Sequence, residues 1–313
     1  MRQARVFGGL INLSQLPSFN KPWLSWTDQL TLLEQRGLVV VDRQSALDFL
    51  AHVNYYRFSG YCLAFEAQRH QFVAGTTFEQ VHLAYEFDRI LRDLVTEALE
   101  VIEIDLRTAV AHHYGHAHGA FGHVSAGQFH RGFQHGFWLQ KLRDETSRSQ
   151  ELFVKHFRRS YSQYPDLPVW IATEIMSFGS LSRMFSGMLK PDQTVIAHRY
   201  GLQVDVMKSW MHHMVYVRNV CAHHARLWDR AWAIKPILPF GKNWQMPAVP
   251  GNDRLFATLL ALRWMLRRCR AAHPLDTEWR DRVTAHLAAL PEVLDPESLI
   301  GLGPNWQDNF LWV

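Results

Sequence analysis

Cysteine is scarce in this chain. Cys62, Cys221 and Cys269 lie far apart in 313 residues with no C-x-x-C pair. That spacing excludes a disulfide scaffold and a thiolate zinc site, and fits a reducing, cytoplasmic setting. Long hydrophobic runs are missing as well. No segment reaches about 18 uninterrupted apolar residues, so no membrane span is expected. The opening MRQARVFGGLINLSQ lacks an apolar core of the secretory type, so no signal peptide is expected. No repeat of solenoid length is visible. Lysine is also rare, at 7 against 26 arginines.

What is present suits a folded chain. Hydrophobic residues make up 48% and charged residues 20%, with 12 Trp and 19 Phe, a composition that favours a large aromatic-rich core over disorder. The net charge is +4. Arginine's planar fork of donors suits phosphate and stacks on bases, so its excess leans toward an anionic partner. A codon bias toward arginine explains the same excess equally well, and charge alone makes nucleic acid only a candidate.

The apolar spacing is helical nearly throughout. After a loose lead-in over 1–20, Thr27 or Asp28 can cap a helix that Gly37 stops. The run Leu38-Val39-Val40-Val41 leaves room for one very small β element. Helical spacing returns from Ser45 to Phe65, and Thr76-Thr77 marks a new N-cap. Leu83, Phe87, Ile90, Leu94, Ala98 and Val101 then step by threes and fours, predicting a long central helix to about His113. Asp88, Arg89, Arg92 and Glu97 fall on its other faces. Further helices are predicted over 138–161, 168–188 and a stripe of Met207, Trp210, Met214, Val217 and Cys221, with Asp205 where an N-cap is wanted. Two more follow, over 255–266 and 283–290. The reading is all-α, with a helical domain over 21–232 (a 21–75 subdomain and a 76–232 core) and a helical extension over 233–313.

The distinctive local run is Arg218-Asn219-Val220-Cys221-Ala222-His223. From 26 Arg and 18 His in 313 residues, chance supplies about 1.5 Arg/His pairs at this spacing. The chain has three: Arg107/His112, Arg218/His223 and Arg268/His273. Context favours the middle one. It alone places Asn directly after Arg, and it alone ends a strongly amphipathic helix. Asn219 and His223 are helical neighbours, whereas Arg218 lies about 140° round the axis from His223, so its long side chain must reach across.

These residue types suit cleavage of RNA without a metal. The substrate's own 2′-hydroxyl is the nucleophile. An imidazole can move protons near neutral pH, and a guanidinium can meet the charge that gathers on the phosphorane. One histidine does not readily serve as both base and acid, and two sites meeting across a twofold axis would supply both.

The run RNVCAHHARLWDR (218–230) resembles the signature of the Abi (abortive infection) family in its AbiD/AbiF-like branch. Asn54-Tyr55-Tyr56-Arg57, Tyr85-x-Phe87-Asp88-Arg89-x-Leu91-Arg92, Ile102-Glu103-Ile104-x-Leu106-Arg107 and Leu167-Pro168-x-Trp170 resemble its other blocks, in the same order. That family belongs to the HEPN superfamily, whose ribonucleases carry R-N-x3-H. The resemblance implies a helical bundle of HEPN type with added N- and C-terminal helices. It also implies a homodimeric, metal-independent endoribonuclease toxin of phage defence with a composite active site. Arg218 and His223 would be catalytic and Asn219 assisting, with His224, Glu103 and Arg107 as possible helpers. Tyr56, Arg57, Arg92 and Arg226 would contact RNA. Partners would be substrate RNA and a small structured RNA, without cofactor or membrane. The alternative is an RNA-binding scaffold of the same fold without catalysis.

Bland readings stand beside these. Glu103 and Arg107 are a ready i,i+4 salt bridge, a core role suits Tyr55 or Tyr56, and Arg268/His273 reads as surface. His112 and His116 have a ligand spacing. No acidic residue or Cys near them in sequence completes a set, and glycines interrupt the run to His135. That stretch reads as a flexible loop, with RNA contact as its functional alternative.

Overall fold

The computed structural model describes residues 3–6, 9–12, 18–241, 244, 249, 251–269, 275–291 and 294–313, with the backbone alone described for 3–6, 9–12 and 275. Among these residues the chain is mostly helical, with thirteen α-helices and two short hairpins. It divides into two compact units, 1–81 and 82–313.

The first unit opens with β1 (Gln3–Val6) and β2 (Gly9–Asn12), antiparallel with Gln3 opposite Asn12, where a loose lead-in was expected. Residues 1, 2, 7, 8 and 13–17 of that lead-in lie outside the described residues. Helix α1 (Trp26–Gln35) is capped by Ser25, two or three residues earlier than predicted. The Ser25 hydroxyl and the Asp28 carboxylate satisfy each other's backbone N–H groups. The single helix expected over 45–65 is two, α2 (Arg43–His52) and α3 (Tyr55–Cys62), parted where Asn54 caps α3. Phe49, Phe58 and Phe78 form its aromatic core, with ring centroids 4.9–5.7 Å apart. Near Val40 there is one bridge, Val39 to Thr77, and a hairpin of β3 (Glu66–Gln68) and β4 (Gln71–Phe72) follows α3.

Helix α4 (Phe78–His118) starts from a reciprocal Thr77/Gln80 cap and runs 41 residues, one turn beyond the predicted end. At 1.5 Å per residue it is about 60 Å long. Leu91, Val95, Ile102, Leu106 and Val110 are fully buried along it, each contributing about 1.5–3 kcal/mol of transfer free energy. Around it in the second unit stand α5 (His135–Arg148), α6 (Leu152–Ser160), α7 (Val169–Ile175), α8 (Phe178–Gly187), α9 (Lys190–Arg199) and α10 (Val204–Ala222). The chain closes with α11 (Leu255–Leu266), α12 (Leu275–Ala288) and α13 (Pro296–Ile300). Helix α11 is buried nearly all round, and the Trp279 indole on α12 donates to the Leu94 carbonyl of α4 at 2.8 Å. No described helix is long and apolar enough to cross a membrane.

Candidate active site at the end of helix α10

Helix α10 buries Met207, Trp210, Met214, Val217 and Cys221, the stripe its 3-4 spacing predicts. Gln203 rather than Asp205 is its N-cap. The buried side fixes the rotation of the helix. As a consequence Arg218, Asn219, His223 and His224 all face solvent. The side chains of Arg218, Asn219 and His223 make no hydrogen bond or ion pair among the described residues.

The helix ends in a Schellman motif. His223 is the C-cap, and its N–H bonds the Asn219 carbonyl at 3.0 Å. His224 N–H reaches the Cys221 carbonyl at 2.8 Å and Ala225 N–H the Val220 carbonyl at 2.9 Å. That turn needs a left-handed residue after the cap. His224 supplies it with φ at 51°, a conformation costing a non-glycine residue about 1–2 kcal/mol. The strained residue therefore sits beside the candidate base.

The segment after the turn is anchored from below. Leu227, Trp228 and Trp232 are buried. The Asp88 carboxylate, fully buried on α4, accepts the backbone N–H groups of Leu227 at 3.0 Å and Trp228 at 3.1 Å. Arg92, one turn on, pairs with Asp88. One further turn along α4, Thr96 stands beside the Cys221 thiol, whose pKa burial pushes up to about 11, so Cys221 stays protonated. Asp88, Arg92 and Thr96 thus form one face that holds the C-terminal end of α10 and its exit segment.

This corrects the expectation for Arg92. It is 6% exposed and committed to a buried carboxylate, because a buried cation is tolerated only when paired; it does not face a polynucleotide. Arg226 is half-buried, 3.4 Å from Asp229. Arg230, not singled out from sequence, donates to the Tyr216 hydroxyl at 3.2 Å. Tyr56 is 86% exposed and Arg57 exposed, both on α3 of the first unit. Tyr55 is half-buried and takes a hydrogen bond from Arg36 at 3.0 Å.

Glu103 and Arg107 form the ion pair their spacing suggested, and Arg107 also donates to the Thr173 carbonyl of α7. Thr96 marks the level of Cys221 on α4, and Arg107 lies about 16 Å further along that helix. The pair ties α4 to α7 rather than joining the end of α10. Arg268 is packed over the Trp264 ring at 3.6 Å; His273 lies outside the described residues. The histidine stretch begins as helix rather than loop. Asp192 of α9 is 6% exposed and hydrogen-bonds His113 at 2.9 Å and His118 at 3.1 Å. Among the described residues no group of three His, Cys, Asp or Glu has metal-holding geometry.

Fold and site together define a class: a mostly helical protein presenting an exposed Arg-Asn-x3-His where an amphipathic helix turns back onto a long central one. The chain belongs to the Abi-like protein family, whose model matches residues 48–229, more than half of the chain. No curated protein and no solved structure matches it.

Proposed function

We propose that the protein is a metal-independent endoribonuclease of HEPN type acting as the toxin of an abortive-infection system. Membership of the Abi-like family supports a part in phage defence. The observation that carries the enzymatic reading is the unpartnered, solvent-facing Arg218, Asn219 and His223 on a helix end held from below by buried groups. Exposed groups on a rigid base are what a reaction on a large polyanion requires.

In the reaction an imidazole takes the proton of the 2′-hydroxyl as its oxygen attacks phosphorus. The O2′–P bond forms while the P–O5′ bond breaks. A protonated imidazole gives its proton to the departing 5′-oxygen. His223 serves one of these transfers, and His223 of a second copy the other, in a composite homodimeric site. Arg218 lies against the non-bridging oxygens, where charge develops, and Asn219 orients phosphate or imidazole. The products are a 2′,3′-cyclic phosphate and a 5′-hydroxyl end. A small structured RNA is the proposed regulatory partner.

The deciding experiment incubates purified protein with total RNA, with and without EDTA, and maps the ends. Cleavage that survives chelation, leaves cyclic phosphate and disappears in Arg218→Ala and His223→Ala supports the proposal. RNA binding without cleavage, equal in wild type and His223→Ala, would instead make the protein an RNA-binding scaffold. Loss of cleavage on chelation would overturn the metal-independent mechanism.

A further inference from the structure

The exposed face of α10 does not begin at Asn219. Going back along the helix in steps of three and four, Val215, His212 and Lys208 precede it on the same face. All of them are exposed or half-exposed. From Lys208 to His223 this face runs about 22 Å. At its Lys208 end it forms one wall of a 1370 Å³ cleft whose other walls come from α5, α8 and the loop before α5.

The cleft carries aromatic rings and cations together. Phe137 on α5 is 67% exposed and its ring lines the cleft. Lys141 is one turn from it and 3.9 Å from Glu145. Arg183 of α8 and Lys208 of α10 also line the cleft, and neither makes an ion pair among the described residues. Asp205 is the one carboxylate among the lining residues. An adjoining 670 Å³ depression shares Lys208 and continues the positive charge to Lys190.

The floor is rigid. Trp138 is buried and donates to the Ser180 carbonyl at 3.0 Å, joining α5 to α8. A Cβ at Gly187 would come within 2.6 Å of the Phe133 ring, so that ring lies flat on the α8 backbone. At Gly179 a Cβ would meet Val215 at 3.7 Å, in ordinary contact, which marks how closely α8 passes α10.

We propose that this cleft is the strand-binding groove for single-stranded RNA, feeding the phosphodiester along the exposed face of α10 to His223. Arg183, Lys208 and Lys141 neutralise phosphates, and a base stacks on Phe137. Cations interleaved with an exposed ring on a pre-formed floor match the way single strands are held without sequence readout. Basic charge favours a polyanion, and the ring favours a base over a bare phosphate or a carboxylate chain. The inference rests on the ribonuclease reading only for where the strand leads; binding in the cleft is a separate property.

The test uses a labelled 12-nucleotide RNA of mixed sequence carrying 2′-O-methyl at every position, which cannot be cleaved by 2′-attack, so binding is read apart from chemistry. Anisotropy titrations compare wild type, Arg183→Ala/Lys208→Ala, Phe137→Ala, and Lys155→Ala/Arg159→Ala on α6 as a charge-matched control. We expect the groove double variant to bind at least tenfold more weakly, with a salt slope smaller by about 1.4 for two lost phosphate contacts. Phe137→Ala should weaken binding by about five- to hundredfold with an unchanged slope, and the control should stay within threefold. All five substituted groove and control side chains are exposed or half-exposed, and thermal melts confirm folding; Arg183→Gln/Lys208→Gln replaces the groove double variant if it melts early. No binding by wild type, wild-type affinity in the groove variants, or an equal loss in the control overturns the proposal. So does poly-glutamate of equal charge binding as tightly with the same dependence on Phe137. Binding as expected with no cleavage of unmodified RNA leaves the groove standing and rejects the ribonuclease.

Discussion

The Asp88 carboxylate on α4 accepts the backbone N–H of Trp228, 140 residues later in the chain, at 3.1 Å. Asp88 is fully buried and paired with Arg92. The bond therefore costs nothing further in desolvation once the ion pair is formed, and it satisfies an amide that no helix serves. It also fixes the path of the chain five residues past His223. The turn geometry of the candidate site is thus held from the far side by a charge that no substrate touches.

Removing that charge should be felt in both stability and chemistry. Asp88→Ala takes away the buried carboxylate that Arg92 pairs with and the acceptor of two backbone amides, which costs about 3–5 kcal/mol. Urea unfolding should show this as a lower midpoint. RNA cleavage should fall with it, even at temperatures where the variant is folded, because His223 loses its support. Asp88→Ala with wild-type stability would refute the buried role of the pair. Arg92→Met should destabilise less than Asp88→Ala in the same measurement, since the Asp88 carboxylate keeps the amide donors of Leu227 and Trp228.

Arg107 supplies the contrast. Its guanidinium joins Glu103 and the Thr173 carbonyl, and it stands about 16 Å along α4 from the level of Cys221. Arg107→Ala should lower stability by about 1–3 kcal/mol, the scale of losing a partly buried charge-assisted bond, and leave the cleavage rate of the folded fraction near wild type. A large fall in that rate with unchanged melting temperature would place Arg107 in the active site after all.

The two cases show what the sequence carries and what it does not. The α10 stripe was legible because burial of Met207, Trp210, Met214 and Val217 repeats at helical spacing, and the exposed positions of Asn219 and His223 follow from it. Asp88 and Arg92 at i and i+4 look the same in sequence whether solvated or buried; only the distant amides of Leu227 and Trp228 decide. Helix α9 escaped notice because its inward side includes Asp192 and Gln193. Gln193 earns its place by two 2.9 Å hydrogen bonds to the carbonyls of Phe185 and Ser186, not by hydrophobicity. Asp192 likewise completes the histidine pair from 74 residues beyond His118, a distance no local pattern spans. The cleft gathers Phe137, Arg183 and Lys208 from three helices, so no single segment announces it.

Two buried histidines predict the response to acid. Burial lowers His213, held between the Ile234 carbonyl and the Thr258 hydroxyl, to about 4, and His123 likewise to about 4. Their ordinary value is 6.5. Between these values the unfolded chain binds protons that the folded chain refuses. Stability is therefore full above pH 6.5 and falls as pH drops toward 4, by about 1.4 kcal/mol per pH unit for each histidine. Urea midpoints taken at pH 7, 6 and 5 should fall in that order. A flat series over this range would mean that neither imidazole is kept neutral by burial.

The adjacent histidines can be told apart by conformation. His223 caps α10 with φ at −90°, while His224 is left-handed at 51°. Glycine at the second position removes the steric cost and suits the Schellman turn. His224→Gly should then raise stability by up to about 1 kcal/mol and keep RNA cleavage, whereas His223→Ala should keep stability and abolish cleavage. If His224→Gly kills activity while the melting temperature rises, the proton-transferring imidazole is His224. The strained backbone would then be what aims it.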